Sequence, residues 1–286
     1  MLKSVSELRA HAVRVLGAAR VPAPEADAEL LIGHVLGLTR GQVQAKAFTD
    51  AGVAPADTVA VLEVVERRAA REPLQHITGR AAFRQLELAV GPGVFVPRPE
   101  TEGVAQLAID ALLAVPSASP VAVDLGTGSG AIALALATEV PHASVVAVEN
   151  SPRAFVWTKQ NAREVGAPNL RLVFDDLATA LPELDGGVDV VVSNPPYIPL
   201  GAIPRDPEVR LHDPEPALYS GPDGLDAVRA ISVRAAALLR PGGTLVLEHG
   251  EEQGPAIRAL LAADGWRAPA THEDLTRRPR ATTASR

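Results

Sequence analysis

The chain has 286 residues with 47% hydrophobic and 21% charged side chains, enough for one large domain and a smaller one. It contains no cysteine, which excludes disulfides and thiolate sites. It also lacks a run of roughly 18 apolar residues and the apolar core of a signal peptide, so we expect a cytoplasmic protein without membrane contact. The net charge of −7 is uneven: residues 1–90 carry +1 and residues 91–286 carry −8, which disfavours a nucleic-acid partner.

Residues 1–72 are predicted to form a small helical domain. Apolar side chains recur at helical spacing in three stretches, at residues 6–16, 26–36 and 55–72. The third stretch opens with a proline, has Asp57 or Thr58 available as an N-cap, and is stopped by Pro73. This spacing predicts a helical bundle at the start of the chain.

A hairpin linker and a larger α/β domain are predicted to follow. Residues 73–96 mix β-branched, aromatic, glycine and proline residues, which is typical of a β-hairpin. Residues 97–286 begin with a predicted helix at 101–113 and continue with alternating strands and helices, a pattern typical of an α/β fold. A proline-rich loop at residues 198–226 is expected to contribute to a substrate channel or a lid.

A glycine-rich turn follows the first predicted strand of this larger domain. The strand Val121–Leu125 runs into the sequence G-T-G-S-G at residues 126–130, and the turn opens an alanine-rich helix. Glycines allow a ligand to approach the backbone closely, and a helix N-terminus offers free N–H groups. The spacing G-x-G-x-G differs from the dinucleotide spacing G-x-G-x-x-G and favours the carboxylate end of S-adenosylmethionine. A second strand, at residues 144–148, ends at Glu149, which is placed to bind a ribose diol.

The tetrapeptide Asn194-Pro195-Pro196-Tyr197 closes an apolar run at residues 188–193 that is predicted to be a buried strand. Open α/β sheets bind ligands at the carboxyl ends of their strands. The Asn194 side-chain carbonyl and the Pro195 backbone carbonyl can accept both N–H bonds of one planar amino group, and the prolines add no competing donor. Tyr197 can form a wall of the pocket. With the glycine turn, the motif predicts a methyltransferase that acts on an –NH2 group.

The chain resembles the PrmC/HemK family, bacterial methyltransferases that modify the glutamine of the Gly-Gly-Gln motif in class-1 peptide chain release factors. The segments that carry the resemblance extend along nearly the whole chain, at residues 73–79, 92–102, 193–197, 247–250 and 274–276 and in the glycine turn. The sequence P-R-P-E-T-E at residues 97–102 discriminates most, because a sister family that methylates a glutamine of a large-subunit ribosomal protein usually has Pro-Arg-Ser-Pro there.

This resemblance implies a Rossmann-like α/β methyltransferase domain with a seven-stranded sheet, after a helical substrate-recognition domain and a β-hairpin linker. It implies S-adenosyl-L-methionine as cofactor, S-adenosyl-L-homocysteine as product, and a class-1 release factor as partner. The expected cofactor-binding residues are Asp124 at the methionine end, Gly126, Thr127, Gly128, Ser129, Gly130, Glu149, Asp176, Leu177 and Asn194. The expected catalytic and substrate-binding residues are Asn194, Pro195, Pro196 and Tyr197, with Arg98 and Glu100 as further candidates.

Other functions stay open at this point. A glutamine methyltransferase of a ribosomal protein, or a nucleic-acid methyltransferase acting on an exocyclic amine, would present the same amino group to the site. A non-catalytic S-adenosylmethionine-binding module is a third possibility, although it would need no amino-group clamp. The histidines lack ligand-like spacing, so we expect no metal site, and we expect a monomer. The arginine-containing tail at residues 277–286 is expected to be frayed.

Overall fold

The computed structural model describes residues 4–286, so the first three residues of the predicted helical domain lie outside the described part. The chain divides into two compact units. The first unit extends to Arg80 and also contains Pro204–His212, whereas the second comprises Ala81–Ile203 and Asp213–Arg286. The predicted domain boundaries at residues 72 and 96 stay predictions. Within residues 4–286, no helix has both the length and the apolar character that crossing a membrane requires.

The described residues form helices and strands with the following bounds. The α-helices are α1 (Val5–Ala18), α2 (Pro24–Leu36), α3 (Arg40–Phe48), α4 (Pro55–Ala69), α5 (Leu74–Thr78), α6 (Thr101–Leu113), α7 (Ala131–Glu139), α8 (Pro152–Val165), α9 (Pro207–His212), α10 (Asp226–Leu238) and α11 (Gly254–Ala263). The strands are β1 (Arg80–Phe83), β2 (Leu86–Ala89), β3 (Val121–Leu125), β4 (Ser144–Glu149), β5 (Leu170–Phe174), β6 (Val188–Ser193), β7 (Leu239–Glu248), β8 (Arg267–Glu273) and β9 (Pro279–Ser285). The helix predicted at residues 101–113 and the strand predicted at 188–193 are confirmed with the same bounds.

The first unit is held together by the apolar faces of its helices. Its fully buried side chains include Leu8, Leu16, Leu31, Ile32, Val61 and Val65. Burying each such side chain contributes about 1.5–3 kcal/mol, which offsets the conformational entropy lost on folding. The three predicted helices therefore form for the expected reason, and the helical character of the start of the chain is confirmed.

Two details of this helical region differ from the prediction. Helix α3 was not predicted, because Val43 is its single buried residue and its apolar pattern is correspondingly weak. Helix α4 is capped by Ala54 without a side-chain hydrogen bond, so the expected caps, Asp57 and Thr58, are wrong. Thr58 lies inside the helix, and its Oγ1 donates to the carbonyl oxygen of Ala54 at 3.1 Å.

A partly buried ion cluster connects α9 to α4 and the residues after it within the first unit. The Glu208 carboxylate accepts from Arg68 Nη1 at 2.7 Å and from Arg71 Nη2 at 2.6 Å, and only 14% of the Glu208 side chain is exposed. Arg68 also donates from Nε to Asp27 at 2.8 Å. Burial alone would raise the pKa of Glu208, but the hydrogen bonds from Arg71 and Arg68 outweigh it and lower the pKa to about 2.

Replacement of Glu208 by alanine is expected to lower the free energy of unfolding by about 1.5–3 kcal/mol, because it removes the carboxylate shared by Arg68 and Arg71 and leaves each guanidinium with fewer acceptors. Chemical denaturation measures this loss, and Glu66→Ala, an exposed position on α4, is the matched control. Because the folded-state pKa lies below the ordinary value of 4.5, the contribution is complete above pH 4.5 and is lost as the pH falls towards about 2. Equal stability of Glu208→Ala and the native chain at neutral pH would contradict this account.

Seven strands form one sheet in the order β5-β4-β3-β6-β7-β9-β8. Neighbours from β5 to β7 are parallel, and β9 is antiparallel to both β7 and β8. Helices α6 and α7 contribute to the apolar core on one face, and α10 and α11 contribute to the core on the other. Coverage of both faces explains why the central strands are continuously apolar. The predicted α/β class with a seven-stranded sheet is confirmed.

The chain reverses its direction of progress across the sheet between β3 and β6. From β3 the chain adds β4 and β5 on one side, and it then returns to add β6 and β7 on the other. A reversal of this kind opens a crevice at the carboxyl ends of the two central strands, which is where such sheets bind ligands. The predicted hairpin is also present, as the two-stranded sheet of β1 and β2.

The C-terminal tail is part of the sheet, so the expectation of a frayed tail is wrong. Strand β9 pairs with β7 from Thr244↔Ser285 to Glu248↔Ala281, and it separates β7 from β8. Arg280 Nη1 donates to the carbonyl oxygen of His249 at 3.3 Å. The tail carries few apolar residues, and its order comes from backbone pairing with distant strands.

Candidate active site

The turn between β3 and α7 presents backbone at the carboxyl edge of the sheet. Gly126 N and Thr127 N donate to the carbonyl oxygen of Val148 at 2.9 Å, which ties the turn to β4. Gly126 and Gly128 have φ values of 75° and 58°. A side chain costs about 1–2 kcal/mol in this left-handed region. A Cβ built on Gly128 would meet no atom within 4 Å, so the turn leaves open space for a ligand beside its backbone.

Asp124, at the base of this turn, has one unsatisfied oxygen. Its Oδ2 accepts from Thr127 Oγ1 at 2.6 Å and from Ala133 N at 3.1 Å. Its Oδ1 is buried and has no hydrogen-bond partner within residues 4–286. Burial raises the pKa of Asp124 to about 7, although the bonds from Thr127 and Ala133 oppose the shift. The free oxygen suits a cationic donor, which would restore the ionised form.

Glu149 lies at the end of β4, and its carboxylate bridges two backbone N–H groups, one of them in the glycine turn. Its Oε2 accepts from Gly128 N and its Oε1 from Ser151 N, both at 2.8 Å. Only 7% of the residue is exposed. Each carboxylate oxygen can accept a further hydrogen bond. The carboxylate is therefore held in a fixed orientation and can still bind a diol.

Asp176 and Leu177 lie at the same edge, after β5. Asp176 is exposed and accepts from Asn150 Nδ2 at 3.2 Å, and Asn150 directly follows Glu149. Leu177 is half-buried, and its Cδ2 lies 3.9 Å from where a Cβ on Gly126 would stand. The structure thus brings both residues beside the glycine turn. The remaining predicted turn residues, Ser129 and Gly130, lead into α7, with Gly130 as its N-cap.

The Asn-Pro-Pro-Tyr motif follows β6, the other neighbour of β3. Ser193 Oγ donates to the carbonyl oxygen of Leu125 at 2.6 Å and fixes the end of β6 against β3. Asn194 is half-buried, and its Nδ2 donates to Thr101 Oγ1 at 3.4 Å. Within residues 4–286, no group donates to Asn194 Oδ1 or to the carbonyl oxygen of Pro195. Both acceptors are therefore available to a ligand.

Tyr197 and Pro196 form the half-buried end of the motif. The carbonyl oxygen of Tyr197 accepts from Gln253 Nε2 at 2.9 Å, which holds the backbone after the prolines. Burial and the nearby carboxyl of Glu248 raise the pKa of Tyr197 to about 12. The phenol therefore stays neutral and suits a wall better than a base.

Arg98 and Glu100 approach the motif without hydrogen bonding to it within the described residues. Arg98 Nη2 pairs with Asp213 Oδ2 at 2.8 Å, and its Cζ lies 4.9 Å from the centre of the Phe95 ring. Burial raises the pKa of Asp213 to about 6, while Arg98 opposes the shift. Glu100 immediately precedes α6, and its charge acts on Tyr197. Both predicted residues thus lie near the motif, and Arg98 is held by Asp213 and Phe95.

Two further polar residues beside the motif were not identified as site residues from the sequence. Thr101 is 4% exposed and receives the Asn194 hydrogen bond, and Glu248 is 1% exposed at the end of β7. Burial raises the pKa of Glu248 to about 7. The available signal for Glu248 was an acidic residue that ends an apolar strand, but its place next to β6 depends on the strand order.

The free Asp124 Oδ1 and the open turn at Gly128 fit the amino and carboxylate ends of S-adenosylmethionine, and Glu149 fits its ribose. The acceptor for a cation (Asp124), the backbone donors of the glycine turn and the acceptor for a diol (Glu149) therefore lie at the ends of the paired strands β3 and β4. Within residues 4–286, no group of three or more His, Asp or Glu side chains is arranged to hold a metal ion.

Comparisons with known proteins bear on the family and the fold of this chain. The family profiles described as PrmC N-terminal domain and methyltransferase small domain match residues 7–79 and 85–202. The release factor glutamine methyltransferase of Streptomyces coelicolor is 52% identical over 277 residues, which cover 96% of this chain and 95% of that protein. The 4-amino-L-phenylalanine/4-methylamino-L-phenylalanine methyltransferase of Streptomyces pristinaespiralis is 42% identical over 246 residues, covering 85% and 81%. The 16S rRNA methyltransferase RsmC of T. Thermophilus, in complex with AdoMet and guanosine, shares the fold, with a TM-score of 0.51 at 23% identity over 72% of this chain and 49% of that one.

Proposed function

Because this chain belongs to the family of release factor glutamine methyltransferases, we propose that it transfers a methyl group from S-adenosyl-L-methionine to the side-chain amide nitrogen of the Gly-Gly-Gln glutamine in class-1 peptide chain release factors. The identity of 52% over nearly the full length supports this substrate class. The observation that carries the chemistry is the pair of available acceptors, Asn194 Oδ1 and the Pro195 carbonyl oxygen, at the end of β6.

The nucleophile explains why two acceptors are needed. An amide nitrogen attacks poorly, since its lone pair is delocalised into the carbonyl group. In this proposal Asn194 and Pro195 accept its two N–H bonds and direct the lone pair towards the methyl group. Orientation of reactants is worth up to about 7–11 kcal/mol in favourable cases. The same acceptors stabilise the positive charge that develops on nitrogen as the new N–C bond forms.

The cofactor would be held by the residues at the ends of β3 and β4. Asp124 would accept from its amino group, the turn at residues 126–130 would donate backbone N–H groups to its carboxylate, and Glu149 would bind its ribose hydroxyls. Asp176 and Leu177 would lie along the adenine. Bound there, S-adenosylmethionine supplies a methyl group on a sulfonium, a good leaving group, and becomes S-adenosylhomocysteine.

No strong base is needed for the proton that leaves nitrogen. An N-alkylated amide that still carries both protons is a strong acid, so water can accept one of them after transfer. Tyr197, with a pKa near 12, keeps its own proton and serves as a wall. The demands on the site are therefore positioning and charge stabilisation.

Incubation with methyl-labelled S-adenosylmethionine tests the substrate class. The test substrates are a purified class-1 release factor and its variant with the Gly-Gly-Gln glutamine replaced by alanine. We expect label on the first protein and none on the second. A ribosomal protein, tRNA, duplex DNA and 4-amino-L-phenylalanine serve as competing substrates, the last because a relative is named for it. Label on any of these but not on the release factor would contradict the proposal.

A further inference from the structure

Glu248 emerges from the sheet beside the proposed amide clamp. Strands β6 and β7 are parallel and pair Ser193 with Leu247, so the next residues, Asn194 and Glu248, leave the same edge side by side. Only 1% of the Glu248 surface is exposed, and its Oε2 has no hydrogen-bond partner within residues 4–286. Burying an unsatisfied carboxyl oxygen is costly. A purely structural explanation for this group is therefore weak.

The Glu248 carboxyl interacts with Asn194 of the clamp and with Thr101, the residue that accepts from Asn194. Asn194 Nδ2 donates to Thr101 Oγ1 at 3.4 Å, so this oxygen acts as an acceptor. Hydrogen bonding from Thr101 and from Asn194 favours the ionised form of the Glu248 carboxyl and lowers its pKa, against the larger effect of burial. An ionised carboxylate can only accept. It therefore attracts the donors of Thr101 and Asn194, so Asn194 Nδ2 is held on the side of Thr101 and Glu248.

We infer that Glu248 is a positioning residue for methyl transfer, whose carboxylate, together with Thr101, holds Asn194 Nδ2 and so keeps Asn194 Oδ1 turned towards the substrate amide. This inference rests on the proposed function, since the orientation of Asn194 matters when two N–H bonds must be accepted. Protonation of Glu248 removes this preference. A carboxylic acid can donate to Asn194 Oδ1, and the Asn194 amide then presents Nδ2, a donor, to the substrate.

Burial and the charges around Glu248 place its protonation near neutral pH. Burial raises the pKa of Glu248 to about 7, Thr101 and then Arg280 oppose the shift, and Glu100 adds to it. The titratable and charged groups nearby are Glu100 before α6, Tyr197 after β6, and, around β9, Arg280, its partner Asp274 and His249. Above this pKa the carboxylate form dominates, so turnover should rise as the pH increases through about 7.

The test compares Glu248→Gln with Glu252→Gln, an exposed glutamate on the following turn that receives the same chemical change. In Glu248→Gln, kcat for the release-factor glutamine should fall about 10- to 100-fold at a pH well above the inflection in the wild-type plot of kcat against pH. The inflection itself should disappear, and calorimetry should show an unchanged dissociation constant for S-adenosylmethionine. Thr101→Val should lower kcat similarly, and Thr101→Ser, which restores the hydroxyl, should recover it. Wild-type kcat and a wild-type pH profile in Glu248→Gln would overturn the inference.

A second measurement separates this inference from the proposed function. In the free protein, the side-chain amide NMR signals of Asn194 should titrate with the Glu248 carboxyl, and this titration should be absent in Glu248→Gln. Asn194 amide signals that do not change as the Glu248 carboxyl titrates would overturn this inference even if the wild-type protein methylates the release factor. Conversely, a wild-type protein whose Asn194 signals titrate as expected but which does not methylate the release factor would overturn the proposed substrate and leave the inference about Glu248 supported.

Discussion

Asn194→Ala is expected to lower the turnover number for a release-factor glutamine at least about 100-fold. The substitution removes one of the two acceptors for the substrate N–H bonds. The unpaired, buried N–H costs about 1–3 kcal/mol, and the loss of lone-pair alignment adds to that. The measurement is single-turnover methyl transfer with saturating cofactor, which reports the chemical step. A near wild-type rate would contradict the amide-clamp mechanism.

Two companion variants separate the loss of chemistry from the loss of folding. Asn194 is half-buried and its hydrogen bond to Thr101 is long, at 3.4 Å, so its replacement should change the melting temperature little. Asn161, in contrast, is buried and bonds to Ala89 and Ser129, so Asn161→Ala should mainly reduce stability. Asn194→Asp keeps an acceptor and places a negative charge near the sulfonium. It should retain cofactor binding and show impaired transfer.

Glu149→Ala is expected to weaken binding of S-adenosylmethionine about 10- to 150-fold, because charge-assisted hydrogen bonds to the ribose hydroxyls are worth about 1.5–3 kcal/mol. The variant also removes the acceptor for Gly128 N, which orders the turn. Titration calorimetry measures the dissociation constant, and Glu251→Ala, at an exposed position, is the matched control. An unchanged dissociation constant would mean that the ribose is bound by other residues.

The features that could be predicted from sequence are those that depend on neighbouring residues. Strands β3 and β6 are short apolar runs that end at recognisable motifs, and Gly126 and Gly128 occupy backbone conformations that favour glycine. Helix α6 was predicted with its observed bounds, because its apolar spacing is regular. The placement of Asp124 and Glu149 at one edge then follows from parallel pairing of their strands.

The features that could not be predicted depend on distant partners. Strand β9 has a polar sequence, and its order comes from pairing with β7 and β8. The segment around Glu208 belongs to the first unit through arginines about 140 residues earlier, a relation that no local pattern reports. Glu248 looks like any acidic residue after a strand until the strand order places it beside Asn194. Sequence periodicity thus predicts helices and strands, whereas the charged residues that surround the site become apparent when the strand order is known.

The most direct test of the central claim is to locate the transferred methyl group by fragmentation mass spectrometry of the modified release factor. The amide clamp predicts one added methyl on the side-chain nitrogen of the Gly-Gly-Gln glutamine, and no modification of that peptide by Asn194→Ala under the same conditions. A methyl group on any other atom or residue of the release factor, or full modification of the glutamine by Asn194→Ala, would contradict it.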